Sequence, residues 1–590
     1  MCIRDREGAS YVEDGEAPPQ RLAPPACQQK YAISELPTLA ALEELFRSLP
    51  DGRAAGPSGV PGALWRLRPA VAARIWYPIF LKCHFRLTEP VAFRQATLVP
   101  LFKGKGSPEV ASGYRSIALL EPLAKLHHKG LRTPLLSCIQ DLADDTYQGC
   151  CPGSDTSSLT LFSSTWLRCL NCQRRPGGIL FVDLQAADYR LLREAVTAEG
   201  LSDARLCQLL ARLQVTRETF LLAVEWFRGA AIAPPDGHHR RLLAAVLQDT
   251  VFAVPGVPGS FRSSLGARPG DAIADVLFAL AMVDLRRELQ STLPSSLCHI
   301  VSEDPHPLPT WADDLSIPFS VGHCRDLETA ATTVTSALHL ACGRRAMAPN
   351  YAKGKTELLL VIVGPGSKTV ARDIRVAKDG LLCFEPADPA LKVRVVHSYC
   401  HLGVTLVTAG ASRADIRRKL ASARAAVLPL ARSVLRNPDL PLATRALLLQ
   451  SLAFARACFG AGTWGRLGAR DLRIWQTGVD GLYRLLFKDD RASGRPTYPR
   501  TEDVAWAAKL PLPAARLHVE ALLLWGRLAA RGDCLHQLLR LEETVAGPRS
   551  WLAGLDEAVR WARRGLPTFP CQTELFDLAV QSPSAVSYTH

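Results

Sequence analysis

The chain has no long uninterrupted apolar run, although 48% of its 590 residues are hydrophobic. Its longest apolar stretch, residues 446–464, is broken by Gln450, Arg456 and glycines. A membrane-spanning helix needs about 20 consecutive apolar residues. The stretch therefore predicts a buried helix, and we expect no membrane partner.

A disulfide framework is also missing. The 17 cysteines are scattered along the chain, and no signal peptide precedes them, which predicts reduced thiols in an intracellular protein that is not secreted. Cys169 and Cys172 form a Cys-x-x-Cys pair, but no second pair or His-x-His partner follows at zinc-finger spacing. The spacing therefore disfavours a structural zinc site.

What the chain does have is positive charge. It carries 70 Lys and Arg against 56 Asp and Glu, for a formal net charge of +14. Such a balance indicates a polyanionic partner, with nucleic acid first and an acidic membrane surface second. A globular protein that happens to be basic remains the alternative, because a chain with 21% charged residues and 48% hydrophobic ones is typical of globular proteins.

The organisation along the chain predicts a mixed α/β body followed by a helical C-terminal third. Residues 1–35 carry two Pro-Pro pairs and no periodicity, and residues 1–6 and 586–590 resemble translated sequencing-adapter sequence. Helical patterns cover residues 34–50 and then 65–85, and strand-like runs cover residues 97–102 and 178–184. From Ser412 onward apolar residues recur at helical spacing.

Three acids at the ends of strand-like runs are the candidate catalytic residues. Asp313 and Asp314 lie between two short apolar runs, and Asp183 follows residues 178–182. Alone, an Asp-Asp pair predicts an exposed loop. An antiparallel sheet can bring adjacent strand ends together, however, and three carboxylates there suit two divalent cations in phosphoryl transfer. The basic residues Lys103 and Arg115 could then bind a triphosphate, the alternative being an ordinary solvated loop.

Eight short blocks follow one another in a characteristic order. They are residues 49–59 (LPDGRAAGPSG), 98–125 (LVPLFK…YRSIALL…K), 148–153 (QGCCPG), 181–184 (FVDL), 266–278 (GARPGD…LF), 312–314 (ADD), 350–357 (N…KTE) and 399–403 (YCHLG). With these blocks the chain resembles the reverse transcriptases of non-LTR retrotransposons over roughly residues 40–520.

The resemblance implies an α+β fold of the right-hand polymerase type, with fingers, a palm built on an antiparallel sheet, a helical thumb and a helical C-terminal region. It divides the chain into a disordered or non-native segment (1–35), a helical N-terminal extension (36–95), fingers (96–178), palm (179–408), thumb (409–490), a helical C-terminal region (491–575) and a partly non-native tail (576–590).

The resemblance also assigns roles to residues. Asp183, Asp313 and Asp314 would be the catalytic ligands of two Mg²⁺ or Mn²⁺ ions. The other expected site residues are, for the nucleotide, Lys103, Arg115, Asp188, Tyr189, Gly270 and Asp271; as supporting residues, Lys355, Leu402 and Gly403; and for nucleic acid, Arg413, Arg417 and Arg424.

The implied activity is RNA-directed DNA polymerisation, in which a primer 3′-hydroxyl is extended with dNTPs. The implied partners are an RNA template, a DNA primer, their RNA–DNA hybrid and an endonuclease fused to or paired with the chain, and the implied location is the nucleus after passage through the cytoplasm.

A catalytically decayed, reverse-transcriptase-derived nucleic-acid-binding protein is the alternative. Three departures from the family pattern favour it: Asp188-Tyr189 stands where the family has an aromatic residue and then an acid, Pro269 replaces a glutamine, and Ser116 replaces a proline. The tryptophans at 464, 475, 506 and 525 are predicted to lie in the helical core, not to stack on bases.

Overall fold

The fold is mixed α+β, as the sequence predicts. The computed structural model of the chain describes residues 9–12, 35–104, 107–110, 113–151, 154–185, 193, 237–263, 266–297, 306–345, 347–487, 500–528, 533–566 and 570.

The helices in the first two thirds are α1 Leu39–Arg47, α2 Gly62–Arg66, α3 Pro69–Arg86, α4 Val91–Arg94, α5 Pro122–Leu142, α6 Thr156–Cys172, α7 Gly237–Leu247, α8 Ala274–Thr292, α9 Leu327–Arg344 and α10 Ser367–Arg372. Those of the last third are α11 Arg413–Val427, α12 Leu442–Leu449, α13 Ala455–Ala457, α14 Ala469–Tyr483, α15 Thr501–Ala507, α16 Pro513–Leu528, α17 Asp533–Ala546 and α18 Trp551–Gly565.

The strands are β1 Ala9–Val12, β2 Gln95–Phe102, β3 Tyr114–Leu120, β4 Gly177–Val182, β5 Thr250–Ala253, β6 Ser260–Ser263, β7 Thr310–Trp311, β8 Asp314–Ser320, β9 Glu357–Val361, β10 Leu381–Cys383, β11 Lys392–Val396, β12 Ser398–His401 and β13 Val404–Val407.

The larger sheet has the strand order β10-β11-β9-β4-β8-β7, with β4 antiparallel to both of its neighbours. Every residue of β4 is buried. Leu180 and Val182 face a core shared with α5, α8 and α9, whereas Ile179 and Phe181 face a core shared with α6. Burial on both faces explains why this strand is a continuous apolar run and does not alternate. The predicted antiparallel sheet contains one parallel pair, β11 with β9.

The smaller sheet has the order β1-β6-β5-β2-β3 and packs on α1, α3 and α5. Two pairings in this sheet join ranges that the predicted division of the chain separates, and the division itself stays a prediction. Strands β5 and β6 belong to the range predicted as palm, but they extend the sheet that begins with β2 and β3. Strand β1, within the segment predicted to be disordered or non-native, pairs antiparallel with β6 at the edge of this sheet.

The C-terminal helices pack directly against the larger sheet's layer. Helix α17 lies on α6 and contributes Cys534 and Leu538 to the core that contains Phe181. The backbone N–H of Cys534, in the first turn of α17, donates to Asp145 Oδ2 (2.9 Å). A carboxylate there satisfies a helix N-terminal donor and opposes the positive end of the helix dipole.

Three of the four tryptophans predicted as core are confirmed. Trp464, Trp475 and Trp525 are at most 5% exposed. The prediction is wrong for Trp506, which is 86% exposed. Helix α15 turns Val504, Ala505 and Ala508 toward the core, and Trp506 falls on its other side.

Among the described residues, no helix combines the length and the apolar character that crossing a bilayer requires.

Candidate active site

The Asp-Asp pair lies in the tight turn between β7 and β8. Trp311 pairs with Asp314 across the hairpin, so Ala312 and Asp313 form a two-residue turn. Ala312 has φ +52°, in the left-handed region, which residues other than Gly, Asn and Asp seldom adopt. The turn presents Asp313 at its exposed tip, and Asp314 begins the buried strand β8.

Asp183 lies beside this turn because of the register between β4 and β8. The last paired residues are Val182 and Leu315, so the next position on each strand is Asp183 and Asp314. Two acids that are 131 residues apart in the sequence therefore lie side by side at one edge of the sheet. This placement agrees with the expectation that an antiparallel sheet brings these strand ends together.

Hydrogen bonds fix the position of Asp183. Its backbone N–H donates to Thr356 Oγ1 (3.1 Å), and its carbonyl accepts from the Asn350 N–H (2.8 Å). Its carboxylate accepts from Lys355 Nζ at Oδ1 (2.9 Å) and from Asn350 Nδ2 at Oδ2 (3.2 Å). Lys355, which was expected to be a supporting residue, is thus a hydrogen-bond partner of Asp183. Asn350 is a second partner of Asp183, and no role was predicted for it.

The surroundings perturb the two acids of the turn. Burial, together with the charges of Asp313 and Asp183, raises the pKa of Asp314 to about 7. Burial also raises the pKa of Asp313, and the negative charge of Asp183 adds to this increase. The positive charges of Arg115 and Lys355 oppose it. Concentrated carboxylate charge of this kind is relieved by a cation.

The donor set fits a hard divalent cation, because carboxylate oxygens are the ligands that Mg²⁺ and Mn²⁺ prefer. In the part of the chain that the structure describes, however, no three His, Cys, Asp or Glu side chains form a group able to hold a metal ion. Asp183 is engaged with Lys355 instead. The carboxylates are neighbours here and not an assembled ligand cage.

The supporting residues Leu402 and Gly403 form the turn of the β12–β13 hairpin, where both have positive φ (+45° and +81°). The hairpin is joined to the acids through Tyr399. The Tyr399 hydroxyl donates to the Lys355 carbonyl (2.8 Å), and its ring stacks on Phe181 at a centroid distance of 4.4 Å.

The smaller sheet brings a cation to the site. Arg115 is exposed on β3, and its charge acts on Asp313. Lys103 follows β2 directly and is also exposed, with its backbone N–H donating to the Gly113 carbonyl (2.8 Å). The Pro269 carbonyl accepts from the Ala118 N–H (2.6 Å), so the turn at 268–271 is attached to the strand that carries Arg115.

Asp271 is buried inside the protein. Its carboxylate is 2% exposed and pairs with His128 Nδ1 (2.7 Å) and Arg268 Nη2 (2.8 Å). Gly270 has φ +104°, and a Cβ there would lie 2.8 Å from the Ala118 carbonyl oxygen. A nucleotide contact of these two residues stays a prediction, and the geometry does not favour one through the Asp271 side chain.

The other two predicted nucleotide-binding residues, Asp188 and Tyr189, lie outside the described residues.

The predicted nucleic-acid-binding arginines all lie on α11. Arg417 and Arg424 are exposed, on the side of the helix away from the buried Ile416 and Ala423. Arg413 is partly exposed and forms an ion pair with Asp471 of α14 (2.5 Å), so part of its charge is already compensated.

Residues 146–149 had no predicted role, although Gln148 and Gly149 begin one of the eight blocks. The Gln148 N–H donates to the Thr310 carbonyl (3.0 Å), and the Thr310 N–H donates to the Thr146 carbonyl (3.0 Å). This segment therefore extends the larger sheet beyond β7, immediately beside the Ala312–Asp313 turn.

Comparison with protein-family models and with curated proteins gives no match to the chain.

Proposed function

We propose that the protein is an RNA-directed DNA polymerase that extends a primer 3′-hydroxyl with dNTPs in retrotransposition. The observation that carries the proposal is the position of Asp183 beside Asp313 and Asp314, with Arg115 of a second sheet acting on Asp313. Acids from two distant segments thus lie at one sheet edge, and the charge of a cation from a third segment acts on one of them.

Each residue has a role that its position supports. Asp183, Asp313 and Asp314 would hold two Mg²⁺ or Mn²⁺ ions, which when bound supply Lewis-acid stabilisation of the attacking and leaving oxygens. Arg115 and Lys103 would bind the triphosphate of the incoming dNTP. Lys355 would hold the Asp183 carboxylate in position beside Asp314.

The remaining elements fit the other partners. Under this proposal the smaller sheet serves as fingers, the larger sheet as palm, and α11 with its exposed Arg417 and Arg424 as thumb. Arginine contacts to phosphates are independent of sequence and weaken with salt, as a polymerase that moves along its template requires. The net charge of +14 supports RNA, DNA and hybrid partners.

A non-catalytic nucleic-acid-binding protein is the second candidate. The ion pair between Lys355 Nζ and Asp183 Oδ1 favours it, since an acid committed to a lysine is a structural partner and not a metal ligand. The same basic surfaces would then bind nucleic acid without synthesis.

Primer extension on poly(A)/oligo(dT) with Mg²⁺ or Mn²⁺ separates the two. We expect Asp313→Ala/Asp314→Ala to reduce dTTP incorporation by about 1,000-fold or more while template binding, measured by fluorescence anisotropy, is retained. The matched control is Glu502→Ala/Asp503→Ala, which removes an exposed adjacent acid pair on α15. Well-folded wild-type protein that binds the duplex without synthesis would refute the polymerase and support the second candidate.

A further inference from the structure

The segment next to the Asp-Asp turn is held more firmly than its position outside regular strands suggests. Asp144 accepts hydrogen bonds from Arg286 Nη2 (2.5 Å) and Gln290 Nε2 (2.7 Å), both on α8. Arg286 also donates to Thr146 Oγ1 (2.7 Å), and its guanidinium lies over the Tyr147 ring, 5.2 Å from the centroid. Residues 144–149 are thereby anchored to the helix behind the larger sheet.

The far end of the segment touches the turn itself. Gly149 is buried, and a Cβ built on it would lie 2.8 Å from the Ala312 backbone nitrogen and 2.9 Å from the Tyr147 hydroxyl oxygen. Real Cβ contacts are essentially never this short, so any side chain at 149 must move a neighbour. Tyr147 is 3% exposed and rests against Arg286, whereas the turn has an exposed tip. Because the Ala312 contact is with backbone, we expect the turn to shift even if the Tyr147 hydroxyl also moves aside.

We infer that residues 144–149 are a brace that sets the position of the Ala312–Asp313 turn, with Gly149 as its positioning residue. The catalytic part of this inference rests on the proposed polymerase function. In this inference Gly149 acts through the turn: its lack of a side chain lets the turn lie against the brace, which keeps Asp313 and Asp314 beside Asp183. Displacements of the order of 1 Å at a catalytic group cost on the order of 100-fold in rate.

Gly149→Ala in the full chain tests the brace. We expect kcat for single-dTTP addition to fall about 10- to 100-fold, with the KM for dTTP within about threefold, because Arg115 and Lys103 lie on the other sheet. We also expect weaker Mn²⁺ binding by electron paramagnetic resonance and faster hydrogen exchange at residues 310–316. The control is Gly322→Ala, where a Cβ meets nothing within 4 Å, and it should match wild type in every readout.

Arg286→Lys tests the brace by a second substitution, at a residue that does not contact the Ala312–Asp313 turn. It keeps the charge but shortens the fork that reaches Asp144 and Thr146, so exchange at residues 310–316 should rise and kcat should fall, each by less than in Gly149→Ala.

The outcomes separate the brace from the polymerase. If wild type synthesises DNA and Gly149→Ala behaves like Gly322→Ala in rate, Mn²⁺ binding and exchange, the brace is refuted and the polymerase stands. If wild type makes no DNA on any template, the polymerase is refuted, and exchange at residues 310–316 still decides the brace: equal exchange in the two glycine variants refutes it, and faster exchange in Gly149→Ala supports it.

Discussion

His128 lies between two buried carboxylates and must be protonated to donate to both. Its Nδ1 lies 2.7 Å from Asp271 Oδ1, and its Nε2 lies 2.9 Å from Glu89 Oε1. Burial by itself would lower the pKa of His128, but Asp271 and Glu89 outweigh it and raise the pKa to about 9. Two neighbouring histidines respond in the opposite way: burial lowers the pKa of His84 to about 3 and of His127 to about 4.

These shifts predict a maximum of stability near neutral pH. The stabilisation from His128 is complete below the unfolded pKa of about 6.5 and is lost as the pH rises through about 9. His84 and His127 stay neutral in the fold, so the unfolded chain binds more protons as the pH falls from about 6.5 to 4, and stability decreases. Denaturant titrations at pH 5, 7 and 9 should give the largest unfolding free energy at pH 7. Equal values at all three would contradict the buried network.

Asp271→Asn tests whether this acid belongs to the fold or to the nucleotide site. Removing its charge leaves Arg268 and His128 buried with less compensation, so we expect the free energy of unfolding to fall by about 3–5 kcal/mol. Asp326→Asn, at an acid whose side chain is 52% exposed, should change it by less than about 0.5 kcal/mol. A stable Asp271→Asn protein with a raised KM for dNTP would instead support the nucleotide contact that the resemblance implies.

Among the elements, the β12–β13 hairpin depends on one glycine. A Cβ on Gly403 would lie 2.7 Å from Phe459 Cε1, and Arg418 Nη2 donates to the Gly403 carbonyl (2.5 Å). Asp415 strengthens the same junction, since its carboxylate accepts from the Thr405 N–H and from Trp464 Nε1, each at 2.8 Å. The hairpin that bears Tyr399 is thus fixed to α11.

Gly403→Ala should lower the stability of the protein by more than the strain of a positive φ angle alone would. The left-handed conformation costs an alanine about 1–2 kcal/mol, and the contact with Phe459 adds to that. Gly366→Ala is the matched control, because Gly366 has φ +77° but meets nothing within 4 Å of a built Cβ. We expect the larger loss of thermal stability in Gly403→Ala. Equal losses would mean that the hairpin can move away from Phe459 without cost.

The sequence predicted those elements whose signals are local. Strand β4 follows from an uninterrupted apolar run that ends at Asp183, the hairpin acids from the short apolar runs on either side of them, and α11 from helical spacing. Contacts made by distant segments left no local pattern. Nothing beside Asp271 in the sequence indicates His128, and nothing beside Gly149 indicates Ala312. The prediction for Trp506 was wrong for the same reason. Its local sequence does not determine which side of the short helix α15 packs against the distant segments of the core.

At the scale of the whole molecule, an ion pair joins Arg168 of α6 to Glu542 of α17, 374 residues later in the sequence. The Glu542 side chain is fully buried, and that of Arg168 is 13% exposed. Glu542 Oε2 also accepts from the Trp551 N–H (3.1 Å), so α18 is attached at the same place. The C-terminal helices and the layer under the larger sheet therefore share one buried charge pair.

Arg168→Met should lower the free energy of unfolding by about 3–5 kcal/mol, because it leaves Glu542 buried without its counter-charge. Arg560→Met removes an exposed pair with Asp556 within α18 and should cost at most about 1 kcal/mol. Denaturant unfolding of both variants checks the difference. Similar small losses would indicate that water reaches Glu542 and that the C-terminal helices are loosely attached.

The hydrogen bond from Cys534 to Asp145 also affects the order in which the structure can form during synthesis. Asp145 belongs to the brace beside the Asp-Asp turn, and its partner is made 389 residues later. A ribosome releases the acids, the brace and both sheets well before α17 leaves the exit tunnel. This support for the candidate site is therefore added only after α17 has been synthesised, so a nascent chain that already contains Asp183, Asp313 and Asp314 still lacks it.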